Sequence, residues 1–510
     1  MVGPDTPNVG GVSADALPTI AVIDIGSNTI RLVEYEVIGR QGLRVVRAAK
    51  EVPRLGHGID GQGRLTRESL EQGARAVRRL VTGLPPSRRR RTIAVATSAV
   101  RDASNRAAFV ARVAAVASVR PRVLSGVEEA RYGKQGVAQA WRLHQDIVVD
   151  LGGGSMQVVY VRRGEVAESF SLPLGTVRLT DRFLSHDPPR DREIDDLRAL
   201  VERELSRLPK APARCRVFLV GGTARALARA SMELTEYPLR SIHGYPLRTK
   251  DLKGLWSVLR SMPADRRREV PGIDRTRADV ILAGIATIRE IGERFGVDDM
   301  IVSAQGIRDG IAYEAAGIPL PRSVDELINR SAAVSARSFR FPVEHGAEVE
   351  RLATDLFDAV RRRFDWGLEE RYAVRAAALH HDIGSTVAAW HHALHSAYIL
   401  RHTPLLGLTH RSAALAVLAV SRHEGEPWPE GWRRSWRTVL SDDDLLIADR
   451  LGTILFVAER LSEAGVGFRL APRSPRLVVT SARRASPAHR LGRLEKHIRR
   501  GLGLGFAVDG

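Results

Sequence analysis

The sequence predicts an α/β protein with two domains related by duplication, followed by a mainly helical third domain. The first observation is a repeated unit, in which an apolar β-rich run, a polar turn with glycine and a second β-rich run follow one another. It occurs as "PTIAVIDIGSNTIRLVEYEV" at 18–37 and as "DIVVDLGGGSMQVVYV" at 146–161. The second observation is that strand and helix patterns alternate between and after these units. The third is a change near residue 318, beyond which helical periodicity dominates.

The first predicted α/β domain spans 18–135 and follows a flexible tail at 1–17. Beyond the first repeated unit, apolar residues recur at helical spacing over 66–82, and Thr66 is placed to cap that helix. The run "TIAVATSAV" then predicts a strand, "NRAAFVARVAAVAS" a helix and "RVLSG" a further strand. This alternation is typical of an α/β domain.

The second α/β domain is predicted at 136–322 and opens with the second repeated unit. A helix near 190–207, a strand turning into a helix in "CRVFLVGGTARALA", further helices to about 295, and a strand, turn and helix in "DDMIVSAQGIRDGIAYEA" follow. The proline-containing segment "GIPLPRSVDEL" then predicts a linker. The helical domain at 323–510 contains one strand signal, "PRLVVTSA", and eleven of the chain's 15 histidines lie after residue 300.

The amino-acid composition limits the classes of function that are compatible with the chain. The 510-residue chain carries a formal net charge of +19, which favours a polyanionic partner such as nucleic acid, a nucleotide or a phosphate chain. The alternative is that basic residues are spread over solvated faces. An aromatic content of 5% argues against a base-stacking platform. The single cysteine, Cys215, excludes an internal disulfide and agrees with a cytoplasmic location, and no apolar run is long enough to span a bilayer.

The glycine-containing turns are the candidate binding elements. Turns of glycine and small hydroxyl residues expose backbone N–H groups, which form concave anion sites. Asp24 and Asp150 each precede such a turn and would repel phosphate, so they imply an intervening Mg²⁺ or Mn²⁺ ion. Two turns facing each other would hold a phosphate chain from both sides, and "VGGTARAL" at 220–227 adds a third.

These motifs resemble the sugar kinase, heat-shock protein and actin superfamily, whose domains have a ribonuclease H-like, actin-like fold. Within it they closely resemble the exopolyphosphatase and guanosine pentaphosphate phosphohydrolase family (Ppx/GppA). The stretches that carry this resemblance, in the family's order, are "AVIDIGSNTIRL", "RLGHGID", "VATSAVRDASN", "LSGVEEARYG", "VVDLGGGS", "LPLGTVRLTDRF", "VGGTARAL" and "SAQGIRDGI". The resemblance covers nearly all of the chain after residue 18.

The resemblance assigns roles to individual residues. Glu129 corresponds to the catalytic glutamate that activates the attacking water, and Arg101 to the arginine that contacts phosphate. Without the resemblance, we would interpret Glu129 as a solvated carboxylate at the start of a helix. Arg101 would then be interpreted as the salt-bridge partner of Asp102. Asp24 and Asp150 would hold the metal. The remaining candidate phosphate-binding residues are Gly26, Ser27, Asn28, Thr29, Gly152, Gly153, Gly154, Ser155, Gly222 and Thr223.

Gln157 departs from the family pattern, which usually has Ser-Thr-Glu after the second glycine turn where this chain has Ser-Met-Gln at 155–157. A glutamine holds a water by hydrogen bonds but supplies no negative charge. We therefore expect weaker divalent-metal affinity or a lower rate than the family pattern implies, or catalysis that relies on Glu129 and the two aspartates alone.

The histidines of the third domain resemble the HD superfamily of metal-dependent phosphohydrolases. The resemblance implies His345, His381, Asp382 and Asp449 as ligands of a second metal, with His395 and His423 as further contacts. Imidazole with carboxylate suits Mn²⁺, Fe or Zn²⁺. The alternative is an HD-like fold whose histidines are core or solvated residues.

Several functions fit these observations. The first is an exopolyphosphatase that releases terminal phosphate from inorganic polyphosphate between the two α/β domains. The second is a guanosine pentaphosphate (pppGpp) 5′-phosphohydrolase that uses the same site. A weakly catalytic regulator that binds polyphosphate or nucleotide, and an HD phosphodiesterase with the first two domains as its sensor, are the others. The resemblance also implies a homodimer.

Overall fold

The computed structural model describes residues 17–59, 62–85, 90–342, 344–465, 467–470, 476–480 and 494–509. The predicted tail lies outside these residues except for its last position. None of the helices in the described part of the chain combines the length and the apolar content that crossing a membrane requires.

The first α/β unit is built on a five-stranded sheet in the order β3-β2-β1-β4-β5. β1, β2 and β3 form an antiparallel meander, while β4 runs parallel to β1, and β5 parallel to β4. The strands are β1 (Thr19–Ile25), β2 (Ile30–Ile38), β3 (Gly42–Glu51), β4 (Arg90–Ala96) and β5 (Arg122–Val123). The helices are α1 (Arg67–Thr82), α2 (Ser98–Asp102), α3 (Arg106–Ala117) and α4 (Gly126–Ala138). The backbone N–H of Ser69 donates to the Thr66 side chain, as the capping prediction requires.

The second unit repeats this topology, which confirms the duplication. Its sheet has the order β10-β11-β9-β6-β7-β8, so a meander of β6, β7 and β8 again leads into parallel strands. The strands are β6 (Ile147–Leu151), β7 (Met156–Arg162), β8 (Glu165–Leu172), β9 (Val217–Val220), β10 (Tyr245–Arg248) and β11 (Asp299–Val302). The helices are α5 (Thr176–Phe183), α6 (Asp191–Ser206), α7 (Gly222–Leu234), α8 (Thr249–Leu259), α9 (Ala264–Arg267), α10 (Ile281–Phe295) and α11 (Ile307–Ala316).

Three strands differ from the sequence-based expectation. β3 and β8 extend each repeated unit by one strand, and β10 interrupts the segment expected to be helical up to about 295. All three lie at sheet edges, where one side of the strand has no hydrogen-bonding partner. Much of β3 and β8 is exposed, so neither shows the apolar pattern of a buried strand.

The third region is mainly helical, as predicted. Its helices are α12 (Val324–Phe339), α13 (Glu344–Val360), α14 (Leu368–His380), α15 (His392–His402), α16 (His410–Val420), α17 (Trp432–Trp436) and α18 (Asp442–Ala464). Short 3₁₀ turns at Arg361–Arg363 and Ile383–Thr386 lie between successive helices, and a π turn at Ile498–Leu502 follows later in the chain. The predicted strand near 475 is β13 (Arg476–Thr480), which lies between β12 (Gly467–Leu470) and β14 (Gly505–Asp509).

Packing between the regions explains how the chain forms one body. A single apolar core contains Leu219 of β9, Leu282 of α10 and Leu415 of α16, so the helical region shares the core of the second α/β unit. A separate core joins Ile20 of β1 to Ile311 of α11, which ties the two α/β units together. The predicted boundary between residues 135 and 136 lies inside α4, and the domain limits stay predictions.

Candidate active site between the two α/β units

The two glycine-containing turns have the same local conformation. The Gly26 N–H donates to the Thr29 carbonyl at 3.1 Å, and the Gly152 N–H donates to the Ser155 carbonyl at 3.0 Å. A Cβ at Gly154 would collide with the Oγ atoms of Ser98 and Ser27, so the second turn lies directly against the first. The two hairpins therefore face one another, as the sequence predicts, and form the base of a shared cleft.

The cleft collects most of the predicted residues. The candidate phosphate-binding residues of both hairpin turns line the cleft, and so does Gly222. The two aspartates and Glu129 line it as well. Further lining residues are Arg31, Thr97, Ser98, Val220, Gly221, Arg225, Arg277, Gly306, Ile307 and Arg308. Backbone N–H groups, hydroxyls and guanidinium groups thus converge on one space, which is the donor set that phosphate oxygens require.

Thr223 has a different position from the one expected. Its side chain is fully buried, and its hydroxyl accepts a hydrogen bond from Nη1 of Arg277 at 3.3 Å. Thr223 therefore orients an arginine of the cleft and is not among the lining residues.

Two crossing helices carry charged residues into the cleft. A Cβ at Gly136 of α4 would overlap the backbone of Gly306, and one at Gly310 of α11 would overlap the carbonyl of Tyr132. Glycine at these crossing points allows the helices to approach closely. Their N-terminal ends then lie at the cleft, so that α4 presents Glu129 and α11 presents Arg308.

The adjacent glutamates of α4 have separate tasks. Glu128 completes a capping box with Ser125, because its carboxylate accepts from the Ser125 N–H at 2.9 Å. Glu129 is 8% exposed and receives a hydrogen bond at 2.5 Å from Nη1 of Arg101. Burial raises the pKa of Glu129 to about 7, although the charge of Arg101 opposes the rise. The solvated helix-start alternative thus describes Glu128, while Glu129 has the properties of a general base near neutral pH.

Arg101 links Glu129 to the second turn. Its Nη2 donates to Oγ of Ser155 at 3.4 Å, and its Nε lies 3.4 Å from Oδ1 of Asp102. The arginine therefore makes the ion pair with Asp102 that the sequence offered as the alternative, and it also reaches the site.

The two aspartates are in unequal electrostatic surroundings. Nη1 of Arg308 donates to Oδ2 of Asp24 at 3.0 Å. Burial raises the pKa of Asp150 to about 6, with Arg225 acting against the rise and Asp24 adding to it. Among the described residues, the sets of three or more donors close enough to hold an ion all lie in the helical region. The cleft offers two carboxylates, Asp24 and Asp150, and a divalent ion held by them would need water or phosphate oxygens as further ligands.

Four arginines of the cleft were not among the predicted site residues: Arg31, Arg225, Arg277 and Arg308. Burial and mutual repulsion lower the pKa of Arg225 to about 9 and that of Arg277 to about 10. A bound polyanion would relieve this repulsion. Three of the four lie inside the motifs that carry the family resemblance, which is the signal that could have found them; Arg277 lies in none.

Gln157 is buried beneath the second turn and lies opposite Asp150 in the β6–β7 register. Its Nε2 donates to Oγ of Ser155 at 2.8 Å and to Oγ of Ser171 at 3.3 Å. The neutral amide therefore positions Ser155, which in turn receives the hydrogen bond from Arg101.

The histidines of the helical region form two neighbouring sets of three. One contains His345, His381 and Glu459; the other contains Asp382, His392 and His423. In each set, the candidate ligand atoms lie within 4.8 Å of one another. This region thus brings together three of the four predicted metal ligands.

The fourth predicted ligand, Asp449, has another partner. Its Oδ1 lies 3.1 Å from Nη2 of Arg422, and the residue belongs to neither set. Glu459, ten residues further along the same helix α18, takes the place expected for it. His395 is likewise outside both sets, and His392, three residues earlier on α15, is inside. A single residue of offset on a helix changes the direction of a side chain by about 100°.

Comparison with known proteins agrees with this architecture. The Ppx/GppA phosphatase family matches residues 35–317, and Ppx/GppA phosphatase domain III matches residues 328–427. Exopolyphosphatase 2 of Mycobacterium tuberculosis is 35% identical over 324 residues, which cover 59% of this chain and all of that protein.

Two crystal structures show the same fold. That of a Ppx/GppA family member from Aquifex aeolicus is 29% identical, with a TM-score of 0.50, and covers 58% of this chain and 97% of its own. That of an exopolyphosphatase from Cytophaga hutchinsonii is 23% identical, with a TM-score of 0.53, and covers 59% and 99%. With its duplicated α/β units and facing glycine turns, the chain belongs to the Ppx/GppA phosphatase family.

Proposed function

We propose that this protein is an exopolyphosphatase that hydrolyses the terminal phosphoanhydride bond of inorganic polyphosphate in the cleft between the two α/β units. The observation that carries the proposal is the convergence of both glycine turns, four arginines and a buried glutamate on one space. The 35% identity to a protein named Exopolyphosphatase 2 supports the same substrate.

The residues divide the work of the reaction. Glu129 accepts a proton from water, the water oxygen bonds to the terminal phosphorus, and the bond to the bridging oxygen breaks. The products are orthophosphate and a chain one phosphate shorter. Arg101 holds the Glu129 carboxylate and contacts phosphate, while Arg225 and Arg277 neutralise the substrate's negative charge. Asp24 and Asp150 would hold Mg²⁺ or Mn²⁺, which supplies positive charge to the phosphate oxygens.

Polyphosphate fits better than a single nucleotide for two reasons. The formal net charge of +19 favours a long polyanion. In addition, the cleft offers glycine N–H groups, hydroxyls and guanidinium groups, all of which recognise phosphate oxygens rather than a base. Guanosine pentaphosphate would use the same phosphate machinery and remains the competing substrate.

The decisive measurement is orthophosphate release from long-chain polyphosphate with Mg²⁺. We expect Glu129→Gln to lower kcat by about 10³-fold or more, because no other carboxylate replaces the base. Glu128→Gln is the matched control, since it changes the neighbouring carboxylate of the same helix; we expect a change in kcat of less than about threefold.

Two results would contradict the proposal. Equal losses for Glu128→Gln and Glu129→Gln would exclude the assigned base. Release of phosphate only from guanosine pentaphosphate, with none from polyphosphate, would exclude the substrate. The proposal includes a cytoplasmic homodimer, and light scattering after gel filtration checks the dimer.

A further inference from the structure

We propose that the helical region holds a dinuclear transition-metal centre, in which His345, His381 and Glu459 bind one ion, His392 and His423 bind a second, and Asp382 bridges the two. This centre is separate from the proposed Mg²⁺ site and does not depend on the exopolyphosphatase activity.

The first ion position is defined by three donor residues. Nε2 of His345 lies 3.1 Å from Oε1 of Glu459, and Nε2 of His381 lies 2.9 Å from Oε2 of the same carboxylate. The residues come from three different helical elements: α13, the end of α14 and α18. Two imidazoles and a carboxylate that converge in this way form a ligand set of the kind found for catalytic metal ions.

The second position adjoins the first. Nε2 of His392 lies 3.1 Å from Oδ1 of Asp382 and 2.8 Å from Nε2 of His423. Nδ1 of His423 donates to the Val420 carbonyl at 2.7 Å, and Nδ1 of His392 lies 3.2 Å from the Ala389 carbonyl. If both Nδ1 atoms carry the hydrogen, two Nε2 lone pairs face each other. They repel unless a proton or a metal ion lies between them, and a metal ion can bind both.

Asp382 connects the two positions. Its Oδ2 lies 3.9 Å from Nε2 of His345, whereas its Oδ1 faces the second set and also lies 3.5 Å from Nε2 of His381. One carboxylate thus directs an oxygen towards each position. Bridged ions in two-metal sites stand about 3.5–4 Å apart, a separation that one carboxylate spans.

Outer contacts orient the imidazoles. Nδ1 of His381 donates to the Ala378 carbonyl at 2.7 Å, which leaves its Nε2 lone pair directed at the centre. Such contacts fix the tautomer of metal-binding histidines. His380, the adjacent histidine, belongs to neither set and is fully buried, so the core-histidine alternative applies to that residue.

The composition of the site selects the metal class. Four imidazole nitrogens with two carboxylates favour Mn²⁺, Fe²⁺, Co²⁺ or Zn²⁺ over Mg²⁺ and Ca²⁺, which prefer oxygen ligands. His381 and His423 close the inner side, while the side chains of His345, Asp382 and His392 are 36%, 33% and 21% exposed. Solvent therefore reaches one side of the centre, where a water can complete the coordination.

The test is metal content of the full-length protein. The chain is stripped with a chelator, incubated with Mn²⁺ under excess Mg²⁺ that occupies the cleft, desalted and analysed by mass spectrometry of elements. We expect about two Mn²⁺ per chain for the wild type and an electron paramagnetic resonance spectrum of an exchange-coupled pair. Wild type that retains no Mn²⁺, or a single uncoupled ion, overturns the proposal.

Matched variants separate the two positions. We expect Glu459→Gln and His392→Gln to retain about one ion each, and Asp382→Asn to lose the coupled spectrum. The controls are Asp449→Asn on the same helix as Glu459 and His395→Gln on the same helix as His392; both should retain two ions. Equal losses in variants and controls would overturn the proposal, and circular dichroism establishes that each variant is folded.

Discussion

The two hairpin turns of the cleft share one backbone conformation but make different contributions to the site. In the first turn, Ser27 and Asn28 supply side chains, and the preceding Asp24 is paired with Arg308. In the second turn, Gly153 and Gly154 supply no side chain, and burial raises the pKa of the preceding Asp150 to about 6. The two turns therefore have matching backbones, but the first contributes side chains where the second contributes glycine.

This difference shows why the glycines are not interchangeable. Gly154 lies against Ser27 and Ser98, so the side chains of the first unit occupy the space that a Cβ of the second would need. The facing surfaces of the two units are therefore complementary in volume as well as in charge.

Among the changes that test the comparison of the two turns, the largest effect should follow from Gly154→Ala, which breaks this complementarity. The new Cβ collides with two hydroxyl oxygens, so the Ser27 and Ser98 side chains must rotate away from the cleft or the turns must separate, and a displacement of about 1 Å at a reacting centre costs about 10²-fold in rate. We expect kcat/KM for polyphosphate to fall about 10²-fold. Gly254→Ala, in α8 where a Cβ meets nothing within 4 Å, should leave it unchanged. A fully active Gly154→Ala would show that the turns need not touch.

The pH dependence should show the unequal state of the carboxylates. Glu129 must be ionised to accept a proton, so kcat/KM should fall about tenfold per pH unit below about 7. A pH–rate profile in saturating Mg²⁺ checks this. The residual rate of Glu129→Gln should not fall as the pH drops through about 7. If the fall persists in this variant, another group is responsible for it.

The raised pKa values of Glu129 and Asp150 have the opposite effect on the stability of the fold, which decreases as the pH rises. Both carboxyl groups bind protons more tightly in the folded chain than in the unfolded one, where carboxyl pKa values are about 4. Their stabilising contribution is complete below about pH 4 and is lost as the pH rises through about 6 and 7. Thermal melts should therefore show wild type losing more stability than Glu129→Gln between pH 5 and 8.

A smaller effect is expected for Gln157→Glu, which restores the carboxylate of the usual family pattern. Negative charge beside Asp150 attracts a divalent ion, and we expect the Mg²⁺ concentration for half-maximal activity to fall about tenfold, or about 1.4 kcal/mol. Ser171→Ala, which removes a hydrogen-bond partner of Gln157 without adding charge, is the control. A large gain in turnover would favour the weakly catalytic regulator, and an unchanged Mg²⁺ requirement would limit Gln157 to positioning Ser155.

The elements predicted correctly are those whose signals are local. Apolar runs interrupted by Asp and Gly identify β1, β2, β6 and β7, and helical spacing with a Thr cap identifies α1. The edge strands β3, β8 and β10 were missed because an edge strand pairs on one side only, and much of β3 and β8 is exposed, so their sequences lack the apolar pattern of a buried strand.

For the cleft, motif resemblance indicated Glu129 and the turn residues, which line it, and Arg101, which contacts Glu129. It did not reveal that Thr223 orients Arg277, because that contact joins residues 54 positions apart. In the helical region, the choice of Glu459 over Asp449 depends on how α18 is rotated against its neighbours, and the spacing of acidic residues along the chain does not specify that rotation.

The sequence by itself determined the duplicated hairpins, the helical third region and the glycine-containing turns, because glycine, aspartate and apolar periodicity act on the backbone within a few residues. The tertiary structure alone decided which charges meet. Burial gives Glu129 a pKa of about 7, crossing helices place Arg308 beside Asp24, and helix rotation selects the histidine partners. Such properties depend on distance and solvent exclusion between segments far apart in the chain, and no local pattern encodes them.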